Sequence, residues 1–225
     1  MTAQANYVIG VLALQGAFRE HVDHLEQAVQ KPDLLVHLFL FVEVRTPEQL
    51  DQCSALVIPG GESTSMSIIA ERTRMLEPLL KFVREKPVWG TCAGLIMLAA
   101  EIQNARPLQK ALGEMSISVA RNAFGRQLEL FEKPCDFSDF APGLTSFRTI
   151  FIRAPVVSAI LTADGRTLCT NTAPVKVLHA LENGLVVAVR QGNKLGTSFH
   201  PELASDCSFH HWFVKEFVVG LDPRA

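Results

Sequence analysis

The chain has 225 residues, with 21 Lys and Arg against 23 Asp and Glu for a formal net charge of −2; 48% of residues are hydrophobic and 20% charged. That balance excludes an intrinsically disordered or collagen-like chain. It also excludes a nucleic-acid binder driven by counterion release, because no basic stripe is there to displace the ions. A chain of this length can bury roughly 70% of the surface its unfolded form exposes, so it needs neither a metal nor a disulfide to hold it.

Residues 1–7 (MTAQANY) lack the basic start and apolar core of a signal peptide. The greasiest stretch, residues 34–42 (LLVHLFLFV), is about half a membrane span and carries His37. Cys53, Cys92, Cys135, Cys169 and Cys207 are scattered without a CxxC pair. That pattern reads as free thiols in a reducing compartment rather than a disulfide framework or zinc site. A cytoplasmic protein with no membrane contact is the expectation.

Residues 8–14 (VIGVLAL) form a continuous apolar run, as expected of a strand buried on both faces. Phe18, Val22, Leu25 and Val29 then recur along one helical face. Residues 34–44 read as a second strand. Residues 47–53 read as a short helix, with Thr46 as N-cap and Pro47 at its first position. Residues 55–58 are a third strand ending at Pro59-Gly60-Gly61, after which Ser63 or Thr64 is placed to cap a helix. Helix is predicted over 75–84, strand at 88–89, and helix again over 95–100. This alternation is that of a parallel sheet covered on both faces, with ligands gathering at the carboxyl ends of its strands.

The second half changes character. Strands are predicted at 116–119, 147–152, 156–161, 175–181, 185–190 and 195–199. Gly192-Asn193 is a hairpin turn whose glycine supplies the positive φ. Residues 134–146 read as a long loop. Phe209, Trp212, Phe213, Glu216 and Phe217 mark a closing amphipathic helix. No stretch reads as a linker, so residues 1–225 are expected to form one domain.

Three places could carry chemistry, each just after a predicted strand. In Gly90-Thr91-Cys92-Ala93-Gly94, small residues flank a strand-to-helix bend that would push the central side chain above the sheet, the logic of a nucleophile elbow. There, unpaired N–H groups and the positive end of the helix favour a thiolate. A buried, inert cysteine is the plainer alternative. In His200-Pro201-Glu202, extended backbone would point residues i and i+2 to one side, so that the carboxylate could set the tautomer of the imidazole. A fortuitous surface turn is the alternative here. Taken together, Cys92, His200 and Glu202 fit a cysteine acyl-transfer triad. In the third place, Pro59-Gly60-Gly61-Glu62-Ser63, paired glycines could turn a backbone N–H toward a ligand as an oxyanion donor beside that of Ala93. A phosphate loop fits less well, because no GxxxxGK[ST] pattern is present. His21 and His24 on the first helix, and the adjacent His210 and His211, form no convincing ligand set, so no metal is expected.

GGES after a strand, GTCAG at an elbow and HPE near the end resemble the class I, triad-type glutamine amidotransferases. The longer strings LALQGAFREH, PGGESTS, GTCAGLI, RNAFGRQ, FIRAP and TSFHPEL are similar, in order and over essentially the whole chain, to the glutaminase subunits of pyridoxal 5′-phosphate synthase. That resemblance implies a three-layer, flavodoxin-like α/β fold. Its central sheet would be mostly parallel, with helices on both faces and antiparallel strands in the C-terminal half. It implies hydrolysis of L-glutamine by Cys92 as nucleophile, His200 as base and Glu202 as orienter, with no metal or organic cofactor. The ammonia would pass to a separate synthase subunit within a large hetero-oligomer.

By motif, the resemblance places Gly61, Glu62 and Ser63 in the glutamine-binding and oxyanion segment. It also places Arg121, Ile152 and Arg153 among the substrate contacts, and Gln15 near the oxyanion loop as a partner-responsive residue. An arginine suits an α-carboxylate, but only the resemblance prefers these two over Arg126 or Arg148. Residues 35–42 and 103–113 depart from the pattern in length and apolar character. The rival readings are a glutaminase feeding another synthase, a stand-alone γ-glutamyl hydrolase, and a catalytically silent binding module of the same fold.

Overall fold

A computed structural model describes residues 6–105, 109–121, 130–161 and 169–222. Residues 122–127 of the RNAFGRQ string and 106–108 of the segment 103–113 lie outside the described residues.

Strands β1 (Asn6–Leu12), β2 (Leu38–Val44), β3 (Ala55–Ile58) and β4 (Val88–Thr91) alternate with helices α1 (Phe18–Ala28), α2 (Pro47–Asp51), α3 (Ser63–Arg72), α4 (Leu76–Glu85) and α5 (Ala93–Leu98). The remaining strands are β5 (Ala99–Gln103), β6 (Met115–Ala120), β7 (Leu130–Cys135), β8 (Phe147–Ile152), β9 (Val156–Ile160), β10 (Val175–Ala180), β11 (Val186–Gln191) and β12 (Lys194–Thr197). A 3₁₀ turn at Pro201–Leu203 precedes α6 (Ser208–Phe213), which continues as a π-helical stretch over Val214–Val219.

The main sheet runs β2-β1-β3-β4-β12-β11-β9-β6-β5, with β10 paired to β11, while β7 and β8 form a separate antiparallel pair. From β2 to β12 all neighbours are parallel. The β12–β11, β11–β9 and β9–β6 pairings are antiparallel, and β5 joins β6 in parallel. The expected flavodoxin-like α/β sheet is therefore present, with its antiparallel strands in the second half. In such an order the crevice outside the carboxyl ends, where the winding reverses between β1 and β3, is where ligands bind.

The inner parallel strands β3, β4 and β12 are buried on both faces, as is most of β1, and alternation sorts their side chains. Ile9, Val11, Ala55 and Val57 join one core with Val22, Leu25, Phe209 and Phe213, which belong to α1 and α6. Leu56 and Ile58 join the other core with Met66, Leu79 and Ile96, on the side of α3, α4 and α5. Among the described residues no helix is long and apolar enough to cross a membrane.

Several sequence expectations need correction. The second strand starts at Leu38 rather than residue 34; Leu35 and Val36 are exposed in the turn before it, and Leu38 and Leu40 are exposed on β2, an edge strand with one neighbour. Residues 99–100 open β5 rather than close a helix. The loop predicted at 134–146 begins inside β7, whose Pro134 and Cys135 pair with Arg148 and Phe147. Proline is tolerated there because a two-stranded ribbon has a free edge. Thr46 caps α2 as predicted, in a capping box completed by Gln49, though the helix ends at Asp51 rather than residue 53, and Gly192 turns the β11–β12 hairpin at φ 58°.

One close approach fixes how α5 sits on the sheet. A Cβ on Gly94 would stand 2.0 Å from the Ile58 carbonyl oxygen, which is backbone and cannot step aside. Gly94→Ala should therefore destabilise the fold by about 1–3 kcal/mol or more, read as a lower denaturation midpoint at unchanged m-value; an unchanged midpoint would contradict this packing.

Candidate active site

The carboxyl ends of β1, β3, β4 and β12 open onto one cavity of about 350 Å³. Its walls are Gln15, Gly61, Glu62, Ser63, Cys92, Ile96, Arg121, Ile152, Arg153 and His200. The candidate residues scattered along the sequence are thus brought together, with Glu202 directly behind His200. A larger cavity, about 450 Å³, lies beside α6 near Lys31, Trp212 and Lys215 and contains no member of the triad.

Cys92 leaves β4 and precedes the first turn of α5 with φ 47° and ψ −101°. A non-glycine residue in that region costs roughly 1–3 kcal/mol and persists only where its surroundings over-determine it. They do so here. The Cys92 N–H donates to the Thr197 carbonyl of β12 at 2.8 Å. On either side, a Cβ on Gly90 would meet the Gly94 carbonyl oxygen at 2.4 Å, and one on Gly94 would meet Ile58. The elbow expected from GTCAG is present. Ala93 is the first helical residue, so its N–H has no intrahelical acceptor.

His200 follows β12, which pairs with β4 through Thr197 and Thr91. Its N–H donates to the Ile150 carbonyl at 2.8 Å, anchoring it to β8. Its Nδ1 lies 2.7 Å from Glu202 Oε1. The two meet for a reason other than the one expected. Glu202 is not extended but sits in the 3₁₀ turn begun by Pro201, which curls the carboxylate back under the ring. Burial of the imidazole opposes its charge, but hydrogen bonds with the Cys92 sulfur and the Glu202 carboxylate outweigh that and raise its pKa to about 10. With Nδ1 occupied by Glu202, Nε2 is the nitrogen left for Cys92. Burial likewise opposes the charge of Glu202, and His21 and His200 overcome it, so the carboxyl is held below its ordinary range.

The glycine loop is wedged between two neighbours. A Cβ on Gly60 would stand 2.3 Å from His200 Cε1, and one on Gly16 would stand 1.8 Å from the Gly60 carbonyl oxygen. That carbonyl accepts from the Ala17 N–H at 3.2 Å. In a trans peptide the next N–H points the opposite way, so the Gly61 N–H faces away from Ala17. Gln15 Oε1 accepts from the Glu62 N–H at 2.8 Å and clamps the far end of the loop.

Glu62, rather than Ser63 or Thr64, caps α3, accepting from the Thr64 and Ser65 N–H groups at 3.1 and 2.7 Å. A carboxylate reaches both amides where a hydroxyl on the first helical residue cannot. Burial works against its charge, yet those bonds and the Ser65 hydroxyl hold its pKa at about 2. Arg121 pairs with Glu62 at 3.2 Å and donates to Gln109 Oε1 at 2.9 Å. Gln109 in turn donates to Ser63 Oγ at 2.9 Å. Nothing in the sequence pattern pointed to Gln109. Arg153, just beyond β8, holds φ 42° at the cavity wall, and the Ile152 carbonyl oxygen lies 4.0 Å from Cys92 Sγ.

Residues 11–219 match the SNO glutamine amidotransferase family. The chain is 50% identical to the pyridoxal 5′-phosphate synthase subunit SNO1 of Saccharomyces cerevisiae, over 97% of this chain and 96% of that protein. It is 41% identical to the pyridoxal 5′-phosphate synthase subunit PdxT of Pyrococcus furiosus, over 93% of this chain and 98% of that protein. A solved crystal structure of a glutamine amidotransferase superposes with a TM-score of 0.73 at 41% identity, covering 92% of this chain and 97% of that one. A second glutamine amidotransferase, from Thermotoga maritima, shares the fold at a TM-score of 0.51 and 15% identity.

The raised pKa of His200 has a direct readout. Titration of ¹⁵N-histidine signals should show this ring holding its proton from neutral pH to near 10. Glu202→Gln should lower that value, and an ordinary pKa in the unaltered protein would contradict the geometry. Because the folded value lies above the unfolded 6.5, the stability this ring contributes is complete below 6.5 and is lost as pH rises through about 10.

Proposed function

The chain belongs to the SNO glutamine amidotransferase family, and from that premise we propose that it hydrolyses L-glutamine to L-glutamate and ammonia with Cys92, His200 and Glu202 as its triad. It is the glutaminase subunit of a pyridoxal 5′-phosphate synthase and delivers the ammonia to the synthase subunit. The observation that carries the residue roles is the Cys92–His200–Glu202 chain at adjacent strand ends, with His200 Nδ1 2.7 Å from Glu202 Oε1.

The Cys92 sulfur attacks the side-chain amide carbon of glutamine as a thiolate. The backbone N–H groups of Gly61 and Ala93 hold the oxyanion of the tetrahedral intermediate, each contributing about 3 kcal/mol. His200, already an imidazolium, donates its Nε2 proton to the departing nitrogen, and ammonia leaves. The neutral ring then takes a proton from water, which attacks the γ-glutamyl thioester and releases glutamate. Glu202 keeps Nδ1 protonated throughout and offsets the ring's charge.

Arg121 and Arg153, at the wall of the cavity, suit the substrate's α-carboxylate, and Glu62, ionised above about pH 2, holds Arg121 in place. Ser63 and Ile152 complete that wall. Ammonia released without an acceptor is wasted, so the lone subunit is slow, and docking of the synthase over the strand ends completes the oxyanion loop through its Gln15 clamp. Residues 1–225 act as one amidotransferase domain, since a single sheet passes through both halves. Five free thiols fit a cytoplasmic setting.

Glutamate release measured with and without the synthase subunit tests this reading. Cys92→Ala and His200→Ala should abolish it, and Glu202→Gln should cost less than either. Hydrolysis surviving in Cys92→Ala would falsify the nucleophile assignment. Full activity in the lone subunit would remove the gating step alone.

A further inference from the structure

Behind Glu202 lie two buried histidines that the triad does not use. His21 comes from the first helical turns of α1 and His210 from α6, and both are fully buried. His21 Nδ1 lies 2.8 Å from His210 Nε2. On the other side of the ring, His21 Nε2 lies 3.2 Å from Thr91 Oγ1 and 3.3 Å from Glu202 Oε2. That carboxylate oxygen is buried and has no partner of full hydrogen-bond geometry among the described residues; the approach of His21 is its polar contact.

The protonation of this chain follows from what each atom can do. Glu202 is ionised, because its 2.7 Å bond to the protonated His200 works against the burial that opposes its charge, and a carboxylate only accepts. A bare Nε2 lone pair facing it would repel it, so Nε2 of His21 carries a hydrogen. Burial brings the pKa of His21 down to about 4, which leaves a neutral ring with a single N–H. Its Nδ1 is therefore bare and must accept from His210 Nε2. His210, also kept neutral by burial, then has a bare Nδ1, and that atom is buried with no hydrogen-bond partner among the described residues. An orphaned acceptor there agrees with this direction of donation, whereas the reverse direction would bury an unpaired N–H.

We propose that His21 is a positioning residue of the glutaminase site, its Nε2–H restraining the second oxygen of Glu202 while His210 fixes the tautomer that makes it a donor. The chain of contacts then runs Cys92, His200, Glu202, His21, His210, and no proton needs to travel along it. Its work is orientation. Glu202 Oε1 is bonded to His200, and a carboxylate tethered through one oxygen can still rock about its own axis; a donor at the other oxygen removes that freedom. The Trp89 ring packs edge-on against His21 with centroids 5.6 Å apart, and both side chains are fully buried.

This rests on the triad reading above, so the test includes Cys92→Ala beside His21→Leu and His21→Gln, all assayed for glutamate with the synthase subunit bound. His21→Leu should lower kcat about 10- to 100-fold, because misplacing a catalytic group by about 1 Å costs up to about 100-fold, with KM unchanged because His21 lies outside the cavity. His21→Gln, whose amide N–H can take the place of Nε2–H, should recover most of the loss. Long-range ¹H–¹⁵N spectra of the unaltered protein should show His21 as the Nε2–H tautomer, a measurement that stands even if the leucine variant does not fold. A folded His21→Leu with full kcat, a change in KM instead, a glutamine variant as slow as the leucine one, or an Nδ1–H tautomer would each overturn the proposal. Activity surviving in Cys92→Ala would instead overturn the triad itself.

Discussion

The bend at Cys92 is the constraint from which the rest of the site follows. An ordinary side chain held at φ 47° relaxes unless the chain on both sides is pinned. The pins are the backbone bond to Thr197 and the two glycines whose missing Cβ atoms let β4, α5 and the end of β3 approach within backbone contact. The bond to Thr197 also ties the nucleophile to the strand that delivers the base. Thr91 and Thr197 are partners across β4 and β12, so the residues following each strand emerge side by side. The meeting of Cys92 with His200 is thus set by strand register, and loop flexibility has little part in it.

Electrostatics divides the site into a charged front and a neutral back. His200 and Glu202 are buried as an ion pair, which persists only because each satisfies the other at 2.7 Å and further groups hold what remains. His21 and His210 sit a few ångströms deeper, beside Trp89, Phe209 and Phe213. In that aromatic surround an imidazolium has no partner strong enough to offset its desolvation, so both rings are neutral. The same residue type therefore works as a cation where sulfur and carboxylate face it and as a neutral donor where only the carboxylate does.

Much of this was legible in the sequence because it depends on local rules. Small residues around Cys92 encode the elbow, the 3.6 and 2 periodicities encode the α/β alternation, and Gly192-Asn193 encodes the hairpin. What escaped depends on distance in the chain. Glu62 caps α3 in place of the expected hydroxyls because the position before Ser63 is set by the loop wedged against Gln15 and His200. The exposed Leu38 and Leu40 looked like interior strand, and only the sheet order reveals β2 as an edge. His21 is separated from His210 by 189 residues, and no spacing rule connects them. The apolar face of α1 read as Phe18, Val22, Leu25 and Val29, with His21 one position away from it; a buried polar residue beside an apolar stripe was the one signal available.

The two faces of the sheet consequently serve the site in different ways. On one, α3 and α5 bring their N-termini to the cavity, supplying the Ala93 N–H and the Glu62–Arg121 pair. On the other, α1 and α6 bring no group to the cavity wall and instead fill the space behind Glu202 with histidine and aromatic rings. Substrate contacts can adjust on the first face without disturbing the second, because five parallel strands lie between them. The cost falls on the junction. Thr91 Oγ1, at the end of β4, contacts His21 below while the next residue presents the nucleophile above, so a shift of that strand end misplaces sulfur and carboxylate together.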